Sequence, residues 1–191
     1  MRADGAGCRF GCPGPPTLLN FDAGLPHRHK IMRITWNEFT VNLAGQNPDE
    51  LLSDWRWLIG DALHLFMVSS CGDMFLSDRQ GHVFWLDSGT GQLQQIANSV
   101  AEFHTLRQQR QNSDQWFMPQ LVGDLMARGR KLGPGECYSY KKPPILGGQI
   151  EPPNFEPTDL SVHFSILGQI HKQVKDLPPG TKISKINIDE P

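Results

Sequence analysis

Apolar residues come in short runs between positions 63 and 97 and at helical spacing on either side, and that change of rhythm organises the chain. Four runs, 63–69, 74–77, 82–86 and 93–97, are cut by Cys71-Gly72-Asp73, Asp78-Arg79-Gln80-Gly81 and Asp87-Ser88-Gly89-Thr90-Gly91. These interruptions carry the Gly and Asp that tight turns prefer, so neighbouring strands pair in sequence order as an antiparallel meander. Upstream, Asn47-Pro48-Asp49-Glu50 supplies a cap, a proline at the first helical position and two acids for the positive end of the helix dipole. The predicted helix runs to about Trp57, with Leu51, Trp55 and Leu58 as its buried stripe.

Downstream, Ser99 and Glu102 have capping-box spacing, and Val100, Phe103 and Leu106 form the apolar face of a helix predicted to reach about Arg110. Trp116, Phe117, Leu121, Val122 and Leu125 predict a third helix, from about Ser113 to Gly129. Residues 132–153 are rich in Gly and Pro, which favours extended backbone with sharp bends. A short strand is expected near 159–162. His163, Leu167, Ile170, Val174 and Leu177 then mark a final amphipathic helix stopped by Pro178-Pro179-Gly180. The expected fold class is α+β, an antiparallel meander of about four to six strands flanked by helices.

Residues 1–31 have neither periodicity, and Gly11-Cys12-Pro13-Gly14-Pro15-Pro16 lies among them. They are expected to be disordered, with 32–191 forming a single domain. Because the pattern opens at Met32-Arg33-Ile34-Thr35-Trp36, Met32 is the expected translation start.

Composition narrows the function classes. With 38% hydrophobic and 20% charged residues the chain has enough apolar material for a core. No run reaches the length of a membrane helix and the first residues do not make a secretory signal, so a cytoplasmic location is expected and no membrane partner. A net charge of -2 argues against direct nucleic-acid binding. Four cysteines, Cys8, Cys12, Cys71 and Cys137, are too few and scattered for a secreted disulfide framework, and Cys8 with Cys12 lacks a second pair to complete a zinc site.

No catalytic constellation emerges. His163 and His171 stand about two helical turns apart, roughly 12 Å of rise, too far to share one metal ion. Neither Cys71 nor Cys137 lies in a nucleophile motif, and the glycines of 81–91 and 147–148 match no phosphate-binding loop. The turn acids are explained by local hydrogen bonding. The expectation is therefore a protein with no catalytic residue, metal or cofactor. Adjacent aromatics Phe84-Trp85 and Trp116-Phe117 sharpen the alternatives: both sheet faces are covered, or one aromatic awaits a partner.

Specific phrases carry a family resemblance. They are Gly72-Asp73-Met74-Phe75-Leu76, Val83-Phe84-Trp85-Leu86-Asp87-Ser88-Gly89-Thr90-Gly91, Ile96-Ala97-Asn98-Ser99 with Glu102-Phe103, and Cys137-Tyr138-Ser139-Tyr140. Pro143-Pro144-Ile145-Leu146-Gly147-Gly148 and 162–171 complete the set. In this order they resemble the C-terminal domain of type VI secretion DNase-immunity proteins (Tdi), which look SUKH-like or GAD-like, over about 34–183. The resemblance implies a cytoplasmic protein that binds and occludes a cognate toxin, a DNase effector. Longer family members carry a further N-terminal domain.

On that reading the contact candidates are Asp73, Asp87, Trp85, Pro143, Pro144, Gly147 and Gly148, the partner is a toxin polypeptide, and a monomer is expected. Residues 1–31 hold four Lys or Arg and two Asp or Glu, leaving 14 bases and 18 acids in the remainder, a mild complement to a nuclease surface. Two other readings compete. One is a regulatory or scaffold module of the same fold; the other is a small-ligand sensor or enzyme whose pocket, lined by His163, His171 or Cys137, lies between the sheet and the last helix. The Met32 start predicts that mass spectrometry of the native protein finds no peptide from residues 2–30; recovery of such peptides refutes it.

Overall fold

The computed structural model describes residues 35–189 except 179 and 184, so the expected disorder of 1–31 and the Met32 start lie outside the described residues. It is an α+β structure: a four-stranded antiparallel sheet in the order β1-β2-β3-β4 and a separate two-stranded ladder, with helices around them. The meander strands are β1 (His64–Val68), β2 (Met74–Ser77), β3 (Val83–Asp87) and β4 (Gln92–Ala97), within a residue of the predicted runs at every boundary. Register pairs Phe75 with Trp85 and Leu76 with Phe84, and β1 bulges between Leu65 and Met67.

Both faces of the sheet are covered. Met74, Phe75 and Leu76 are consecutive on β2 and all fully buried, which a strand permits only when protein packs on each side. Helices α4 (Val100–Leu106) and α5 (Arg110–Phe117) cover one of them, with Phe75 against Phe103, Trp116 and Phe117 at centroid distances of 5.1, 6.4 and 5.2 Å. Ser99 caps α4 as predicted, accepting the Glu102 N–H. Glu102, however, accepts from Asn98 N rather than closing the reciprocal bond at Ser99.

Three predicted helices differ in detail. The helix expected to reach Arg110 ends at Leu106, and α5 begins at Arg110. The one expected over 113–129 is broken: α5 ends at Phe117 and α6 (Pro119–Ala127) follows directly. Pro119 lacks an N–H and crowds right-handed backbone at the residue before it, so Met118 turns left-handed, with φ 45°. The helix capped by Asn47 is split into α2 (Pro48–Leu52), a 3₁₀ turn over Ser53–Trp55 and α3 (Arg56–Ile59). Ahead of it stands a short helix the pattern did not announce, α1 (Trp36–Phe39), where Glu38 accepts the Thr35 N–H at 2.6 Å.

The strand expected at 159–162 lies earlier. β6 (Phe155–Asp159) pairs antiparallel with β5 (Glu136–Tyr140), and Asp159 is already the cap of α7 (Leu160–Val174), accepting the Ser161 N–H at 2.7 Å. A side chain that caps a helix takes the position just before it, so residues 160–162 become its first turn. One continuous cluster of buried apolar residues extends from Phe39 to Leu167.

Helix α7 sits close against the 3₁₀ turn. The Trp55 indole donates to the Phe164 carbonyl at 3.0 Å, and a Cβ at Gly168 would stand 2.7 Å from the Asp54 carbonyl oxygen. Only glycine admits this approach. Gly168→Ala is therefore expected to lower the stability of the chain by about 1–3 kcal/mol in urea unfolding, as overpacking does; an unchanged midpoint contradicts the contact.

Candidate functional site

The polar side chains that the sequence singled out meet at one end of the meander, where the β1–β2 and β3–β4 turns lie against α7. In the first turn Ser69 N donates to Asp73 O and Ser69 Oγ accepts the Asp73 N–H. In the second, Asp87 Oδ1 accepts from Gly89 N at 2.9 Å and Thr90 N at 3.1 Å. Asp73 then joins the two. Its Oδ1 accepts from Ser88 N at 2.9 Å and Ser88 Oγ at 3.1 Å, and its Oδ2 accepts from the Trp85 indole at 3.3 Å.

The two histidines of α7 complete the tie from below. His163 Nε2 lies 3.1 Å from the Gly72 carbonyl oxygen and its Nδ1 2.8 Å from Ser139 Oγ on β5. A carbonyl can only accept, so Nε2 carries the hydrogen and Nδ1 accepts from the serine hydroxyl. His171 Nε2 donates likewise to the Ser88 carbonyl at 3.0 Å. The eight-residue spacing that excluded a shared metal ion thus matches the separation of two hairpin turns. Gly72 has φ 85°, and a Cβ there would collide with the His163 ring, so this position needs glycine twice over.

Burial sets the charge states. His163 is pushed down to about 4 by loss of water, partly offset by the Gly72 carbonyl, and stays neutral near pH 7. His171 is lowered by the same cause. Asp73 is raised to about 8, first by burial and then by the nearby Asp87 charge, against the pull of its three donors. The thiols of Cys71 and Cys137, fully buried, are pushed far above their ordinary range. Asp73 and the two histidines are thus held neutral, buried and hydrogen-bonded to the turn backbone, where they tie the elements together.

His163, His171 and Cys137, considered as the lining of a ligand pocket, are buried at 1%, 4% and 0% exposure. Two open recesses lie elsewhere, one of about 470 Å³ along Asn37, Arg130, Glu136 and Tyr138, the other of about 510 Å³ beside α7. No group of three or more His, Cys, Asp or Glu side chains converges as metal ligands among the described residues. No helix among them is long and apolar enough to cross a membrane.

The contact candidates divide into two sets. Asp73 and Trp85 are buried, at 2% and 7% exposure, so they offer almost no surface and serve to hold the turns. Asp87 is partly exposed beside them. Pro143, Pro144, Gly147 and Gly148 belong to a projecting loop over 141–154 that Asn154 staples shut. Asn154 accepts from Lys142 N at 3.0 Å and donates to the carbonyls of Lys142 at 2.9 Å and Gln149 at 2.8 Å. Pro143 is itself buried at the base, and a Cβ on Gly148 would strike the Lys142 carbonyl oxygen.

On this fixed loop Ile145 and Ile150 are 40% and 57% exposed. The apolar tips and the Asn154 staple escaped the sequence reading. Asn154 sits between prolines and Phe155 in an apparently irregular stretch, and only the fold brings it to Lys142.

What these elements build is an α+β scaffold with a locked interior and a preorganised, partly apolar loop. Residues 97–171 match the family model for the C-terminal domain of the type VI secretion system (T6SS) immunity protein Tdi1, so that stretch of the chain is similar to this family. The matched residues include α4 to β6, the Asn154 loop, Ser139 and both histidines, whereas the phrases at 72–91 precede them. No curated protein matches the chain. The crystal structure of Atu4351 from Agrobacterium tumefaciens is similar at 18% identity and a TM-score of 0.44, too low to bear on fold or function; the match covers 64% of this chain, which spans 64% of the length of that one.

Proton linkage gives a test of the locked interior. From about pH 4 to 6.5 the folded histidines bind fewer protons than the unfolded chain, so they favour folding more as pH rises. Asp73, raised from 3.8 to about 8, works in the opposite sense across that whole span and alone above 6.5. Stability should therefore peak near pH 6.5 and decline toward pH 8. Asp73→Asn should abolish the decline in urea titrations at several pH values; persistence of the same slope in that variant contradicts the assignment.

Proposed function

We propose that this chain is an immunity protein that neutralises a cognate type VI secretion toxin by docking a preformed surface over it, in the cytoplasm of the cell that makes both. The immunity role follows the family match of residues 97–171. The observation that supports occlusion as the mode is the stapled loop: its bends are set by Asn154 before any partner arrives, so ordering it costs little on binding. Ile145 and Ile150 supply apolar contact, with Pro144 before them and Gly147 between them shaping the tip, and partly exposed Asp87 supplies negative charge on the β3–β4 turn. Asp73, Trp85, Pro143 and Gly148 act from beneath by fixing these surfaces.

The toxin in this reading is a DNase. That assignment follows the family resemblance; a nuclease presents a basic surface to its substrate, and the excess of 18 acids over 14 bases outside residues 1–31 is only a mild complement to it. Side chains at the centre of an interface carry most of the binding energy, so the loop tip is the place to cut.

Co-expression with its cognate toxin domain should restore growth to cells that the toxin alone kills. The Ile145→Glu, Ile150→Glu double variant should remain folded and lose protection, with affinity for the toxin weakened about 100-fold or more, the scale of hot-spot loss. Full protection by that variant moves the contact elsewhere. Killing despite abundant folded wild-type chain overturns the immunity reading.

A further inference from the structure

Two glutamines on the outer face of α7 hold a stretch of backbone in a way the family match does not explain. Gln169 Oε1 accepts from Asp189 N at 2.7 Å while its Nε2 donates to Asp189 O at 3.1 Å. Gln173 Oε1 accepts from Asn187 N at 3.2 Å while its Nε2 donates to Asn187 O at 2.7 Å. Each side-chain amide thus pairs with both main-chain groups of one residue, as a neighbouring strand would. The pitches agree: four helical residues rise about 6 Å and two extended residues advance about 6.6 Å. A main chain whose residues i and i+2 turn the same edge to α7 is extended there, and it runs antiparallel to the helix.

The amides are also oriented by the helix itself. Gln169 Nε2 donates to Ser165 Oγ at 3.0 Å, and Gln173 Nε2 donates to the Gln169 carbonyl at 3.2 Å. Their carbonyl oxygens are thereby turned outward whether or not a segment is seated. Nothing in the four strap contacts uses the side chains of Asn187 or Asp189, so what is recognised is peptide backbone, not sequence. The recess of about 510 Å³ bounded by Asp54 and Lys172 leaves room for side chains next to the seated segment. Because the strap is solvent-exposed and held by few hydrogen bonds, it opens at low cost.

We propose that Gln169 and Gln173 form a docking rail for an extended segment of the partner polypeptide, and that residues 187–189 occupy it in cis until that segment replaces them. That the partner is a toxin rests on the immunity reading; the rail itself does not. Its recognition is of an unpaired strand, through main-chain N–H and C=O groups at alternate residues.

A synthetic peptide of sequence 181–189, added to the isotope-labelled full chain and followed through the Gln169 and Gln173 side-chain amide resonances, tests this without the toxin. An Asn187→Pro, Asp189→Pro chain has lost both strap N–H donors and should bind the peptide about tenfold more tightly than wild type, as expected if the strap fills the rail nine-tenths of the time. Adding Gln169→Ala and Gln173→Ala should remove that binding. A peptide with alanine at the alternate side chains should bind equally well, and one N-methylated at the two paired positions should not bind. Binding that survives loss of the glutamines, or no binding to the strap-released chain, overturns the rail. Concentration-dependent dimerisation of wild type that the glutamine substitutions abolish assigns the rail to a second copy and overturns the partner assignment. Failure of toxin protection with the rail result intact would strike only the immunity reading.

Discussion

The buried tie among Asp73, Ser88, His163 and His171 is the constraint from which the rest of this structure hangs. Two hairpin turns, at Gly72 and Ser88, would each be a mobile loop on an isolated meander. Here Asp73 bonds one turn to the other, and α7 reaches both through imidazole N–H groups. His163 extends the tie to β5 through Ser139, so sheet, ladder and last helix are held as one body. The same burial that makes these bonds strong also suppresses the chemistry their residue types suggest.

A fixed interior gives the surface its character. The loop over 141–154 leaves β5 and returns to β6 under the Asn154 staple, so the ladder locked by His163 sets where Ile145 and Ile150 stand. The outer face of α7 inherits the same rigidity, which keeps Gln169 and Gln173 in step with an extended backbone. Two surface features of different chemistry, one apolar and one reading main-chain amides, thereby share a single frame. This arrangement suits a protein whose work is to fit another polypeptide.

The meander was legible because its signals are local: short β-rich runs and turn residues between them place all four strands. Caps at Asn47 and Ser99 were legible for the same reason. The breaks at Met118 and within 47–57 were less so, since apolar periodicity continues through both while Pro119 and packing of the 3₁₀ turn on α7 interrupt the backbone. Asp159 was read as the start of a strand because its role as a cap depends on where β6 ends. The eight-residue histidine spacing could exclude a metal but could not reveal Gly72 and Ser88 as partners, which lie more than 80 residues away in sequence. Trp85 and Asp73 looked like contact residues by type, and only the fold shows them turned inward. The glutamine pair left a trace, two amides four residues apart on the polar side of α7, but its meaning needs the strap.

The central claim, that this molecule works by stoichiometric occlusion, is tested most directly by titrating the purified chain into its toxin domain and following DNA cleavage. The account predicts that cleavage falls linearly and ends at one equivalent, with the chain recovered unaltered in a one-to-one complex. Cleavage that persists under several-fold excess of folded chain, or inhibition by catalytic amounts of it, would contradict the account.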